Sequence, residues 1–142
     1  QGIILVAHSK RAVRELTALF ERREITKKYQ AVVRGQFPPS MTFDLAIDQR
    51  SAATKASLLK YNSELNLSLL DIEIGSGRKH QIRRHLLSGG FPIVGDRLYG
   101  ESDQINPESD LQLCAYSLSF RCPITEQLTH FVVEPELLLE NN

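Results

Sequence analysis

The chain has 142 residues, 42% of them hydrophobic, a length that suits one globular domain with one core. No stretch approaches the ~18 apolar residues needed to cross a bilayer, the opening QGIILVAHSK lacks a basic leader or a small-residue cleavage site, and Cys114 and Cys122 lack Cys-x-x-Cys spacing. The 17 Lys and Arg balance the 17 Asp and Glu, yet residues 1–100 hold 16 cations against 9 acids and residues 101–142 hold 1 against 8. The expectation is therefore a soluble, cytoplasmic, polarised protein with reduced packing cysteines, no disulfide framework and no membrane segment.

In chain order, Gly2 to Ala7 is an apolar run that predicts a strand buried on both faces. Ser9 is placed to cap a helix in which Val13, Leu16, Leu19 and Phe20 recur at helical spacing, with Lys10, Arg11, Arg14 and Glu15 on the other side. Ile25 to Gly35 predicts a strand with Tyr29, Ala31 and Val33 on one face and Lys28, Gln30, Val32 and Arg34 on the other. Thr42 to Ile47 predicts a short strand, and Ala53 to Tyr61 with Leu67 to Ile74 an antiparallel hairpin. A Gly-Ser-Gly turn then leads into a second helix, Arg78 to Ser88, stopped by Gly89-Gly90. Phe91 to Asn106 predicts a loop, followed by strands at Leu111 to Phe120 and Gln127 to Val133. Seven strands and two helices, with strands often adjacent in sequence, predict an α+β domain: a mixed, mainly antiparallel β-sheet flanked by a few helices.

The densest polar cluster runs from Gly77 to Leu86 and holds Arg78, Lys79, His80, Arg83 and Arg84 at the start of the second helix. Such a start offers free N–H groups and a positive dipole end to an anion. On a 3.6-residue period His80, Arg83 and Arg84 share a flank while Ile82 and Leu86 face inward. One shared ligand and an ordinary solvated basic face are both compatible with that pattern. His80 and His85 stand five apart, which misses the i, i+4 spacing of helical metal ligands, so no metal is expected. No Gly-x-Ser-x-Gly elbow, phosphate-binding loop or dinucleotide fingerprint occurs. Tyr29 suits stacking on a nucleobase as well as plain packing.

Read as an ordered set, these segments resemble the RluA-type family of RNA pseudouridine synthases. The resemblance is carried by Ser76-Gly77-Arg78-Lys79-His80-Gln81-Ile82-Arg83 with His85-Leu86, then Gly90, Pro92-Ile93, Gly95-Asp96 and Tyr99-Gly100. Upstream, Lys27, Tyr29, Ala31, Val33 and Gly35 resemble the family's Lys-x-Tyr-x-Ala-x-Val-x-Gly strand. Gly2 resembles the last glycine of its His-Arg-Leu-Asp-x-x-Thr-Ser-Gly motif, which would place the catalytic aspartate four residues before Gln1. The resemblance implies that residues 1–142 are a catalytic domain shortened at its N-terminal end, inactive without that aspartate. It further implies a uridine flipped out of structured RNA, ribosomal or transfer, and isomerised without metal, redox step or cofactor, by a protein that is monomeric when intact. Tyr29 would stack on the base and assist proton transfer. Arg83 would pair with the aspartate and hold it ionised. Ile82 would wall the base, and Arg78, Lys79, His80 and Arg84, with the basic first helix, would meet the RNA. A non-catalytic RNA-binding module of the same fold is the alternative, and an unrelated α+β domain fits the ordered motifs poorly.

Overall fold

The computed structural model describes residues 2–22, 24–100 and 110–137. Among them, helix α1 (Lys10–Glu21) is followed by strands β1 (Thr26–Arg34), β2 (Ser40–Phe43), β3 (Thr54–Asn62) and β4 (Leu67–Ile74), helix α2 (Gln81–Ser88), and strands β5 (Leu113–Arg121) and β6 (Leu128–Val132). The strands form one sheet in the order β2-β3-β4-β1-β5-β6, every neighbouring pair antiparallel. The expected α+β class with a mixed, mainly antiparallel sheet holds, the parallel element being one bridge between Gly2 and Ala115.

β1 lies inside the sheet, and its Ala31, Val32 and Val33 are fully buried. β4 alternates as an amphipathic strand should, with Ser68, Leu70, Ile72 and Ile74 inward. Leu70, Ile72 and Ile74 join Phe37, Phe43, Ala56, Ile82, Leu86 and Ile93 in the main core. A smaller core forms under α1, where Leu16 and Phe20 flank Leu19, Ile25, Leu118 and Phe120. Phe20 of α1 and Ile82 of α2 line neighbouring cavities that share Lys27 and Tyr29. Both helices therefore stand over the sheet face that carries those two side chains.

α1 begins where expected, the Ser9 hydroxyl accepting the Ala12 N–H at 3.0 Å. α2 begins three residues later than expected because His80 takes a left-handed conformation, φ 54°, that no helix interior tolerates. The expected strand at Thr42 to Ile47 lies earlier, at β2, since Asp48 and Gln49 turn back with positive φ and close an Ile47–Arg50 bridge. The expected loop after Phe91 contains a useful piece of pairing. Val94 N–H bonds Val32 O and Arg34 N–H bonds Pro92 O, so this segment flanks the end of β1 before β5 begins. Residues 101–106 of that expected loop lie outside the described residues.

The first expected strand needs correction. Gly2 to Ala7 forms no ladder: among the described residues its backbone pairs with the sheet through the Gly2–Ala115 bridge and the Ile3 N–H bond to Ala115 O. Ile3 and Leu5 pack on the smaller core, whereas Ile4 is 84% and Val6 64% exposed. β1 pairs along one edge of β5 and β6 takes Ser117 to Arg121 on the other, so only its first residues remain for this segment. The segment is covered on one face only.

Two glycines near α2 test the backbone. Gly95 has φ +80°, and a Cβ there would lie 2.1 Å from the Asp110 carbonyl oxygen; Gly90 has φ +86° and open space. Left-handed backbone costs an L-residue about 1–2 kcal/mol. Gly90→Ala is expected to lose about that much in urea unfolding, and Gly95→Ala clearly more because backbone must also move. Equal losses would refute the clash.

Candidate active site

A cleft of about 280 Å³ opens between β1 and the start of α2. Lys27 and Tyr29 form its floor, Ile74, Ile82, Leu111 and Leu113 its apolar walls, and Arg78, His80 and Arg83 its polar side. A neighbouring cavity of about 380 Å³, lined by Ile3, Leu5, Leu16 and Phe20, shares Lys27 and Tyr29. Tyr29 is aimed by its strand. Opposite it β5 carries a bulge, Lys28 pairing with Ser117 and Tyr29 with Ala115, so the small Ala115 lies beside the ring and Tyr116 is left over. Burial raises the Tyr29 pKa, keeping the phenol protonated.

The loop before α2 is held by a directed hydrogen-bond network. Buried Gln81 accepts from the Ser76 hydroxyl at 2.9 Å and the Arg78 N–H at 3.2 Å. Its amide donates to Ala53 O at 2.8 Å and to the Thr54 hydroxyl at 3.1 Å. His85 Nε2 lies 2.7 Å from Leu45 O, which can only accept, so Nε2 carries a proton. Thr54 Oγ1, 2.7 Å from His85 Nδ1, then donates to that nitrogen in the neutral ring. Every bond in this network has one consistent direction.

Arg83 is fixed from the other side. Its Nε and Nη2 donate to Asp96 at 2.9 and 2.7 Å, a bidentate pair in which the Asp96 side chain is 1% exposed. Burial alone would push the Asp96 carboxyl up; hydrogen bonds from Arg83, Tyr99 and Leu98 together with the Arg83 charge outweigh it and hold it below the usual range. The hydrogen bonds from Arg83 to Asp96 correspondingly raise the guanidinium pKa. The Arg83 guanidinium lies 5.1 Å from the Tyr99 ring centre, and the Tyr99 hydroxyl is 3.1 Å from His80 Nδ1. Partial burial and then the Arg83 and Lys79 charges lower the His80 pKa.

Tyr29, Ile82, Arg78, His80 and Arg83 thus share one cleft. Arg84 and Lys79 are not among its lining, and the shared flank expected for His80, Arg83 and Arg84 is corrected: Arg84 turns to Asp48 at 3.2 Å, beside a different groove. The reason is that Arg83 and Arg84 are adjacent and project about 100° apart on a helix. The guesses on the first helix are partly committed elsewhere, Arg11 to Glu15 and Arg22 to Glu24. Asp96 shows in the sequence only as a member of the Gly-Asp pattern, whereas Lys27, two before Tyr29, shares that residue's strand face, a signal that could have found it.

Two outcomes test this geometry. Removing one partner of a buried pair costs about 3–5 kcal/mol, and Asp96→Asn is expected at the lower end because Arg83 keeps some water. The Asp96 pKa is depressed on folding, so its contribution is full above the unfolded value near 4 and fades as pH falls through the folded value. The stability gap between wild type and D96N in urea should therefore shrink from pH 7 to pH 2; a constant gap would mean that the charge is irrelevant. Thr54→Val leaves Gln81 and His85 each short of a partner and should cost about 1–3 kcal/mol by the same assay.

A family model described as RNA pseudouridylate synthase matches residues 1–88. The dual-specificity RNA pseudouridine synthase RluA of Pasteurella multocida is 34% identical over 94% of this chain and 68% of its own length. The Haemophilus influenzae protein of the same name is 33% identical over 92% of this chain and 66% of its own length. An uncharacterized RNA pseudouridine synthase of Chloroflexus aurantiacus is 36% identical over 70% of this chain, and the match covers 35% of that protein. Across such relatives the chain spans about a third to two thirds of their length. In structure, human RNA pseudouridylate synthase domain containing 1 superposes with a TM-score of 0.74 over 94% of this chain and 69% of that one, at 22% identity, a likeness of fold. Ordered motifs, sheet and curated relatives agree, and the chain belongs to the RluA-type RNA pseudouridine synthase family.

Proposed function

We propose that the complete protein converts uridine to pseudouridine in structured RNA, ribosomal or transfer, acting in the cytoplasm as a monomer. Uridine and pseudouridine have the same atoms, so the conversion requires no redox partner, and no metal is invoked. The observation that supports this reading best is the cleft, where half-buried Tyr29 lies between an apolar wall with Ile82 and an arginine held rigid by Asp96. A flipped base needs a ring to stack on, an apolar wall and fixed polar groups.

In this reading the extruded uracil covers Tyr29 and abuts Ile82. Arg83 spends Nε and one Nη2 proton on Asp96, which leaves Nη1 free to hold the carboxylate expected four residues before Gln1. Asp96 then orients the arginine, and the arginine aims the nucleophile. Arg78, Lys79, His80 and Arg84 meet the RNA backbone, each adding salt-dependent affinity. The relatives named dual-specificity synthases make more than one RNA the natural set to try.

Expressed with the residues its gene encodes before Gln1, the protein is expected to release tritium from ribosomal or transfer RNA labelled at uridine C5. Asparagine in place of the upstream aspartate is expected to abolish release. Binding without release from any RNA tried would replace this reading with the non-catalytic RNA-binding module.

A further inference from the structure

Three cations line the cleft, and two are already engaged. Arg83 is neutralised by Asp96, and Arg78 Nε donates to Ser51 O at 3.0 Å. Lys27 is different. Its Nζ lies 4.5 Å from the Phe20 ring centre, and a Cβ built on Gly77 would be 3.9 Å from it. Among the described residues it makes no ion pair. Burial lowers its pKa, the direction that strengthens an ammonium as a hydrogen-bond donor. A half-buried cation with only a ring face for company is poorly compensated until an electron-rich oxygen reaches it.

Position limits what that oxygen belongs to. Lys27 and Tyr29 are two apart on one face of β1, about 7 Å along the strand, and both border both cavities. Lys27 and the Tyr29 ring thus border the same space, the space that a base stacked on Tyr29 would occupy.

We propose that Lys27 is a further catalytic residue, its ammonium donating to a carbonyl oxygen of the extruded pyrimidine and stabilising the negative charge that develops on the ring. This rests on the isomerisation proposed above. The N1–C1′ bond breaks with its electron pair passing to the ring and its two carbonyl oxygens, the C5–C1′ bond forms, and the C5 proton leaves to water while N1 takes up a proton from water, so that the product has the atoms of uridine. Should a carboxylate first add to the ring, charge again gathers on a carbonyl oxygen. Lys27 gives up no proton, and no oxidant or reductant enters.

The test compares full-length wild type, Lys27→Met and Lys27→Arg in single-turnover tritium release and RNA affinity across a salt series. Losing a donor to developing charge costs about 10²-fold in rate. K27M should show that loss with affinity within threefold and an unchanged salt slope, and K27R should recover part of the rate. Weakened affinity with a salt slope lower by about 1 and a normal saturating rate would make Lys27 a phosphate contact and overturn the proposal. An active wild type with K27M equally fast would also overturn it, leaving the isomerisation intact. A wild type that releases nothing removes the isomerisation and this role together.

Discussion

The Gln81 side chain is the constraint on which the cleft depends. Its four polar contacts tie the Ser76–Arg78 loop to Ala53 and Thr54 at the start of β3, and Thr54 passes the connection to His85 one turn further along α2. A buried amide satisfied at every site has one low-energy arrangement, because any shift strands a donor or an acceptor. The loop therefore arrives at His80 with its direction already set. His80 absorbs the change of course in a left-handed turn, its side chain goes to Tyr99 instead of capping the helix, and Arg83 comes to face Asp96. The signature string is first of all a hydrogen-bond circuit.

That circuit divides the cleft's charges into fixed and open ones. Arg83 and Asp96 cancel each other at close range, so the pair contributes rigidity and direction more than net field. Lys27 keeps an uncompensated charge beside a neutral Tyr29 whose pKa burial has raised. Among the described residues the cleft is lined by one oriented ion pair, the cations Lys27 and Arg78 and an uncharged ring, with no unpaired carboxylate to repel an electron-rich base. Preorganised positive charge of this kind acts most strongly where water is excluded, and the apolar walls of Ile74, Ile82, Leu111 and Leu113 provide that exclusion.

Local pattern made much of this legible. The Ser9 cap, the period-two burial of β4 and the inward Ile82–Leu86 pair all follow from chemistry within a few residues, and the structure has each of them. Gly2 to Ala7 was misjudged because an apolar run reports composition, while coverage of both faces depends on which strand edges remain vacant. The Arg83–Asp96 pair was hidden for a related reason: the partners are 13 apart, and only the backbone path through Gly90 and Gly95 brings them together. The i, i+2 spacing puts Lys27 on the face of Tyr29 and Lys28 on the other, but that Phe20 of α1 lies against the Lys27 ammonium depends on tertiary packing no local pattern records.

The bulge in β5 connects the two ends of the domain. By skipping Tyr116 it places Ala115 beside Tyr29, and the displaced tyrosine turns to bond Asp71, which with burial drives its pKa up to about 12. Ala115 in turn receives Gly2, where a Cβ would meet its carbonyl oxygen at 2.2 Å, so only glycine allows so close an approach. Gly2 makes a parallel bridge to Ala115 of β5, the strand whose Leu113 lines the cleft beside Arg83. A strand irregularity, a small residue and a glycine thus make one steric device that aims Tyr29 and seats Gly2 against β5.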